Sequence, residues 1–405
     1  MEPTLLLHWA EFAVRWLHVI TAIAWIGSSF YFIALDLGLH RDRALASGAD
    51  GEEWQVHGGG FYHVQKYLVA PDRMPDDLIW FKWESYWTWL SGFALLVLVY
   101  YLGAELFLID PNVLDIAVWQ GVAISLASLA FGWGVYTTLC KVFVASNPTL
   151  LMVALFGVLV AMALFYTNVF SGRAALLHLG AFTASIMTGN VFFVIMPNQR
   201  IVVADLKAGR VPDAKYGKIA KQRSTHNNYL TLPVIFLMLS NHYPLAFASD
   251  WNWLIASLVF LMGVSIRHFF NSMHMRKGRL WWTWGVTAAL FAAIVWLSWP
   301  SPYAYGEEEA AMAPAAQRYA QAAGFEAVHD IVLGRCSMCH AAEPYFGDML
   351  WPPKGVMLET PGQIAAQARS IYLQAGASHA MPPANISYME PAERATIVAW
   401  FEGAR

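Results

Sequence analysis

Eight stretches of apolar residues constrain this chain more than any other feature. They run over about 9–36, 83–103, 116–139, 149–168, 173–196, 229–248, 252–270 and 280–299, and each is long enough for a helix to cross bilayer hydrocarbon. Charged residues make up 13% of the chain, against about 25% in soluble proteins, so a water-facing globule of this length would lack polar surface. A segment in lipid must satisfy its backbone internally. The expected fold is therefore all-α, an eight-helix transmembrane bundle over residues 1–300. Gly132 and Gly134 inside one window suit close helix packing. The start, Met1-Glu2-Pro3-Thr4, has no basic n-region and runs into a long apolar segment, unlike a cleaved signal peptide. A net charge of −3 says nothing about nucleic acid, and with no basic patch of the kind that binds it no nucleic-acid partner is expected.

The connections orient the bundle. Those after the first, third, fifth and seventh windows hold Arg41, Arg43, Lys66, Arg73 and Lys82; Lys141; Arg200, Lys207, Arg210, Lys215, Lys218, Lys221 and Arg223; and Arg276, Lys277 and Arg279. The opposite loops hold only Arg173, which makes 16 cations against one. By the positive-inside rule the N-terminus lies outside a bacterial inner membrane, as does everything after Pro300.

Cys336-Ser-Met-Cys339-His340 then specifies the end of the chain. C-x-x-C-H is an attachment signature for haem c: the two thiols add to the haem vinyl groups and the adjacent imidazole reaches the iron. Met381-Pro382-Pro383 follows His340 by 41 residues, and His plus Met is a usual axial pair. Met338, Met349, Met357 and Met389 are rivals, but only Met381 precedes two prolines that stiffen the loop. The alternatives are a redox Cys pair or half a zinc site, for which the one remaining cysteine is Cys140 in the apolar region. Residues 326–405 read as a class I cytochrome c domain, periplasmic because haem c is attached outside the cytoplasm. The acidic, Ala/Pro-rich stretch within 301–325 reads as a linker. Pro391, with Ile397, Val398, Trp400 and Phe401 behind it, marks a closing helix.

Polar residues inside apolar windows are costly and tend to be functional. On the first helix His8, Glu11, Arg15, His18, Trp25 and Ser29 recur at helical steps, as a stripe expected to face the interior. The fifth has His178, Ser185, Thr188, Gly189 and Asn190. His18 and His178 sit in similar local sequences at matching depth, which hints at a four-plus-four repeat and at a haem b clamped between them; the other reading is two histidines bonded to neighbouring carbonyls. A second set gathers at the cytoplasmic ends: Lys82, Glu84, Asn198, Gln199, Arg200, His226-Asn227-Asn228, Arg267, Asn271 and His274. It reads either as interfacial anchoring or as a site for a planar anionic heterocycle, where stacking holds the ring, a cation offsets the charge and amides read the edge. His226 is then the candidate base. His57-Gly-Gly-Gly60 and His63 either cover such a site or mark a flexible loop.

Trp16-Leu-His18-Val, Ala24-Trp-Ile-Gly27, Phe81-Lys-Trp-Glu84, His226-Asn-Asn-Tyr-Leu-Thr-Leu-Pro233 and Arg267-His-Phe-Phe-Asn271, followed by the terminal C-x-x-C-H, resemble the membrane-bound cytochrome c urate oxidases of bacteria. The resemblance covers nearly the whole chain. It implies oxidation of urate to 5-hydroxyisourate in purine catabolism, with electrons leaving through the cytochrome to a respiratory-chain acceptor. The competing reading is a membrane cytochrome subunit that carries electrons without oxidising a substrate of its own.

Overall fold

The computed structural model describes residues 3–67, 71, 75–143, 148–299, 312, 314–347, 349 and 352–404. The membrane half comprises α1 (Pro3–Gly38), β1 (Ala49–His57), β2 (Gly60–Tyr67), α2 (Trp83–Leu95), α3 (Ala104–Phe107), α4 (Val118–Phe143), α5 (Pro148–Thr167), α6 (Gly172–Gly189), α7 (Met196–Lys207), α8 (Ala214–Leu239), α9 (Pro244–Phe247), α10 (Asn252–His274) and α11 (Trp282–Leu297). A helix overlaps each expected window. Among the described residues, however, only five helical runs are long and apolar enough to cross a membrane: Leu5–Gly38, Val118–Phe143, Thr149–Thr167, Gly172–Lys207 and Asn252–His274. The others fall short for visible reasons. The helix α2 gives way after 13 residues to a π-helical turn, Leu96–Tyr101, and α11 has only 16 residues. The helix α8 carries Lys215, Lys218, Lys221, Arg223, His226, Asn227 and Asn228; it is too polar because it bears the candidate site.

The helix α6 is central and α1 peripheral, with 67% and 6% of their most apolar windows buried. A bilayer removes the need for protein to cover the outer face of α1, so Trp9, Phe12, Trp16, Ile20 and Ile23 are exposed. The core between α4, α5, α6, α8 and α10 holds Tyr136, Tyr166, Phe170, Phe182, Leu237 and Phe260. Gly132 admits the Phe182 ring, since a Cβ there would lie 2.5 Å from it, whereas Gly134 has nothing within 4 Å. Only the first of the two packing glycines packs.

An all-α chain is not what residues 49–67 form. They make an antiparallel hairpin in which His57 pairs with Gly60 and Trp54 stacks on His63 at 4.2 Å. Gly58 and Gly59 have φ of +60° and +79°, the left-handed backbone that a tight two-residue hairpin turn needs. The glycine run is a turn. Asp36 at the end of α1 anchors the hairpin by pairing with Lys66 and also with Lys221 of α8.

The C-terminal module is helical: α12 (Pro314–Ala320), α13 (Phe325–Arg335), α14 (Ser337–His340), α15 (Pro361–Ala366), α16 (Ala368–Ile371) and α17 (Pro391–Gly403). Pro391 opens α17 as expected, and Ile397, Trp400 and Phe401 enter its core. The expected linker is shorter than 301–325. Residues 301–311 lie outside the described residues, but α12 belongs to the module: Tyr319 stacks on Phe401 at 5.3 Å and its carbonyl accepts from Trp400 Nε1 at 3.0 Å.

The module sits at the end of the bundle where α1 begins. Arg369 Nη2 lies 3.5 Å from Glu11 Oε2, and Arg15 Nη2 lies 2.6 Å from Glu11 Oε1. The charged part of the α1 stripe therefore docks the module instead of facing the bundle interior.

Candidate functional site

Two regions gather chemistry-bearing side chains. In the C-terminal module, α13 delivers Cys336 and α14 carries Cys339 and His340. The His340 Nδ1–H donates to the Val356 carbonyl at 2.7 Å, which fixes the tautomer and leaves Nε2 as the ligating nitrogen. Burial, more than the neighbouring Cys339, pushes the Cys336 thiol up to about 11, and burial also raises Cys339. Both are neutral thiols near pH 7. Met381 is pinned on both sides: its N–H donates to Gln374 O at 2.8 Å and its carbonyl accepts from Arg394 Nη1 at 2.9 Å. Arg394 is buried and also donates to Ala375 O at 2.6 Å and Asn385 Oδ1 at 3.2 Å. It holds the methionine loop, a role with no sequence signature. Two thiols, an imidazole with Nδ1 tied back and a methionine on a fixed loop fit a covalently attached haem. No group of three or more His, Cys, Asp or Glu side chains that could hold a metal ion gathers among the described residues.

His18 and His178 are placed differently. His18 Nδ1 lies 3.0 Å from Thr88 O and 3.1 Å from Ser91 Oγ, in the groove between α1 and α2. Gly92 opens that groove, because a Cβ there would come 2.9 Å from the imidazole Cε1. His178 is fully buried, with Nδ1 at 2.7 Å from Ala174 O and Nε2 at 2.8 Å from Ser125 Oγ. A carbonyl can only accept, so Nδ1 carries the proton and the Nε2 lone pair is taken by the Ser125 hydroxyl. Phe170 packs on the ring at 4.6 Å. With both nitrogens engaged, His178 does not fit a haem b clamped between it and His18. It matches the alternative of hydrogen bonding inside the bundle.

The second region lies near the opposite end. Asn228 Nδ2 donates to Ser29 O of α1 at 3.4 Å, and from Glu11 to Ser29 is 18 residues of α1, roughly 27 Å at ~1.5 Å per residue. Here the triplet His226, Asn227 and Asn228 divides. Consecutive helical residues point about 100° apart, so the three cannot share one set of partners. Asn227 Nδ2 donates to Met187 O at 2.9 Å, which turns its Oδ1 toward Asn190 Nδ2, also at 2.9 Å. Asn190 Nδ2 donates as well to the Tyr136 hydroxyl at 2.9 Å, and that hydroxyl lies 2.9 Å from His226 Nδ1. The Met187 carbonyl thus sets the direction of the whole chain: Tyr136 accepts from Asn190, donates to His226 Nδ1, and leaves the imidazole proton on Nε2. Asn190 opens a π-helical turn, Asn190–Ile195, that interrupts the regular helix, a distortion frequent at functional sites. Arg223, one turn before His226, lies with its guanidinium 4.9 Å from the Tyr136 ring centroid.

Asn228 faces the other way, toward α1 and α10. Its Oδ1 accepts from Arg267 Nε at 3.2 Å, Arg267 Nη2 at 3.0 Å and Asn271 Nδ2 at 3.1 Å. Arg267 Nη2 also donates to Asn271 Oδ1 at 2.9 Å, and the guanidinium sits 4.2 Å over the Phe30 ring. The cluster ties three helices together. Lys82 joins neither group: it precedes the first turn of α2, and its ammonium lies 5.2 Å from the Trp83 ring, as long cationic side chains do at an interface.

Sequence reading thus named His226, Asn227, Asn228 and Arg267 but missed Tyr136 and Arg223. Tyr136 had no signal. Arg223 had one: three residues before His226 it shares a helix face, yet it was counted only among the loop cations.

A sequence profile described as Urate oxidase N-terminal matches residues 4–298. The chain belongs to that family. The match spans the membrane half, both polar clusters included, and stops before the C-terminal module. No curated protein and no solved structure matches the chain. Membership in the urate oxidase N-terminal family makes the protein an oxidoreductase of urate metabolism, and its five apolar helices suit a membrane protein.

Proposed function

We propose that the membrane half oxidises urate to 5-hydroxyisourate and that the electrons leave through haem c in the C-terminal module to a respiratory-chain acceptor. The observation that carries this reading is the buried polar cluster around His226, lying within the stretch that the urate oxidase family match spans. A competing role as a bare electron conduit leaves that cluster, and the match over the membrane half, without a purpose. All eight helical windows cross the inner membrane in this reading, including the three that are shorter or more polar. The N-terminus and the C-terminal module are periplasmic, and the His226 cluster opens toward the cytoplasm, where purine catabolism supplies urate.

For the urate monoanion the reaction balances with one water: the products are 5-hydroxyisourate, one proton and two electrons. Cys336, Cys339, His340 and Met381 are the residues that would hold a haem c, which when bound would supply a one-electron acceptor for each of those electrons. The chain's own residues bind the ring and manage the proton. His226 first meets the substrate with the N–H of Nε2. To act as the base it needs the other tautomer, in which Nε2 has given its proton to water and Nδ1 has taken one from water; the Tyr136 oxygen can then accept from Nδ1–H with its own hydroxyl proton turned away. Asn227 acts through Asn190 by holding the amide chain in one direction. Asn228 and Arg267 hold α1, α8 and α10 around the site.

The test is anaerobic. Urate added to oxidised, purified full-length protein reduces haem c without any partner, one urate per two haems, because each haem takes one electron. An intact haem that urate leaves oxidised would assign the oxidation to another protein.

A further inference from the structure

Arg223 is a buried cation whose hydrogen-bonding capacity the described residues meet only in part. It is 6% exposed, and its Nε and Nη1 find no acceptor among the described residues. The Tyr136 hydroxyl and the Cys140 thiol lie beside the guanidinium, and neither is an anion; burying a charge with part of its hydrogen-bonding capacity unmet is unfavourable, and other buried arginines here avoid it. Arg394 is engaged by carbonyls and Asn271 with Asn228 engages Arg267. The amide oxygen of Asn190, itself fully buried, also finds no donor among the described residues. It belongs to the same hydrogen-bonded chain, through Tyr136, whose ring the Arg223 guanidinium approaches. His226 Nε2 makes no hydrogen bond to a described residue either. Two N–H groups on a cation and one amide carbonyl acceptor are thus without a partner among the described residues around one tyrosine, with the His226 imidazole N–H beside them. Those unmet groups describe a complement: a planar anion with acceptor oxygens or nitrogens on one edge and an N–H to donate on another.

We propose that Arg223 is the residue that binds the anionic edge of urate, with Asn190 Oδ1 accepting from a ring N–H. The assignment rests on the urate oxidation proposed above and deepens it. It moves the charge-recognition role from Arg267 and Lys82 to Arg223. Arg267 is spent on Asn228 and Asn271, and Lys82 lies apart. The guanidinium near the Tyr136 ring also lets a ligand that neutralises Arg223 reach the Tyr136–His226 hydrogen bond, so binding and proton handling share one wall.

The experiment measures equilibrium urate binding to dithionite-reduced full-length protein, which cannot accept electrons and so does not turn over. It compares wild type with Arg223→Met and Arg223→Gln, and records thermal stability without urate. Loss of charge-assisted hydrogen bonds should weaken binding about 10- to 100-fold. The melting temperature of Arg223→Met should stay level or rise, since an unpaired buried charge has been removed; a structural arginine would lower it. If Arg223→Met does not fold, Arg223→Gln decides by the same affinity measurement. Wild-type affinity in the folded variant, or weakened binding that merely tracks a fall in melting temperature, overturns the assignment and leaves the proposed function standing. Wild-type protein that neither binds urate nor is reduced by it overturns the proposed function itself, and with it this inference.

Discussion

Arg394 and Arg223 are both buried arginines in helices, 7% and 6% exposed, and they do opposite things. Arg394 in the C-terminal module donates to the carbonyls of Ala375 and Met381 and to Asn385 Oδ1. Its charge is spread over oxygens that would otherwise be unsatisfied, and in return the methionine loop has one position. Arg223 in the membrane half stands beside an aromatic ring with two of its nitrogens unmet among the described residues. A saturated buried cation stabilises a fold, and an unsaturated one is held in place by a fold for something else. On that measure the Arg267 cluster groups with Arg394 and the His226 cluster with Arg223.

Removing the proton acceptor on the unsaturated side should have the largest effect. His226→Ala should lower the rate of haem c reduction by urate about 10²- to 10⁴-fold, while urate still binds and the haem spectrum is unchanged. A wild-type rate across the pH range would remove His226 from the chemistry. On the saturated side, Arg394→Ala should cost the C-terminal module about 3 kcal/mol, because it strands several buried carbonyls. Denaturant unfolding followed at the Soret band reads that loss, and a silent variant would erase the contrast between the two arginines.

Asn228→Ala sharpens the comparison within the membrane half. If the Arg267 cluster is structural, stability falls by about 1–3 kcal/mol, and the urate dissociation constant of the folded protein moves little. A large change in affinity with no loss of stability would return Asn228 to the substrate. Glu11→Gln tests the seam with Arg369, where a pair at 3.5 Å is worth only about 0.2–1 kcal/mol. The rate of haem c reduction should fall less than about fivefold, and raising the salt on wild type should reproduce the change. The smallest expected result is no signal at all. Acid–acetone extraction should release no stoichiometric haem, given that both nitrogens of His178 are bonded; one extractable haem per chain would restore the ligand reading of His18 and His178.

The candidate haem ligands could be named because covalent attachment would demand them at fixed spacing, three within five residues, and the prolines after Met381 mark its loop. The helical windows were legible because apolar length is set by the bilayer and needs no knowledge of partners. The inner site was legible only in part. His226-Asn227-Asn228 stands out as polarity inside an apolar chain, but adjacent helical residues face different neighbours. Nothing local says that Asn227 looks to Met187 and Asn190 while Asn228 looks to Arg267. The hairpin at residues 49–67 was missed because its turn glycines also fit a flexible loop.

By itself, then, the sequence determined the apolar helices, the alternation of charge in their connections and the expectation attached to the terminal motif, all properties of short contiguous stretches. Tertiary structure alone decided which buried cations are satisfied. Arg223 and Arg267 are alike on paper, both arginines near the end of a polar run, and they differ only in what the other helices bring to them. Asn228 and Asn271 converge on one, whereas Tyr136 offers the other a ring face and a hydroxyl already committed to His226. Hydrogen bonds between helices join residues tens to hundreds of positions apart, so whether a buried charge is matched is a property of the packed bundle.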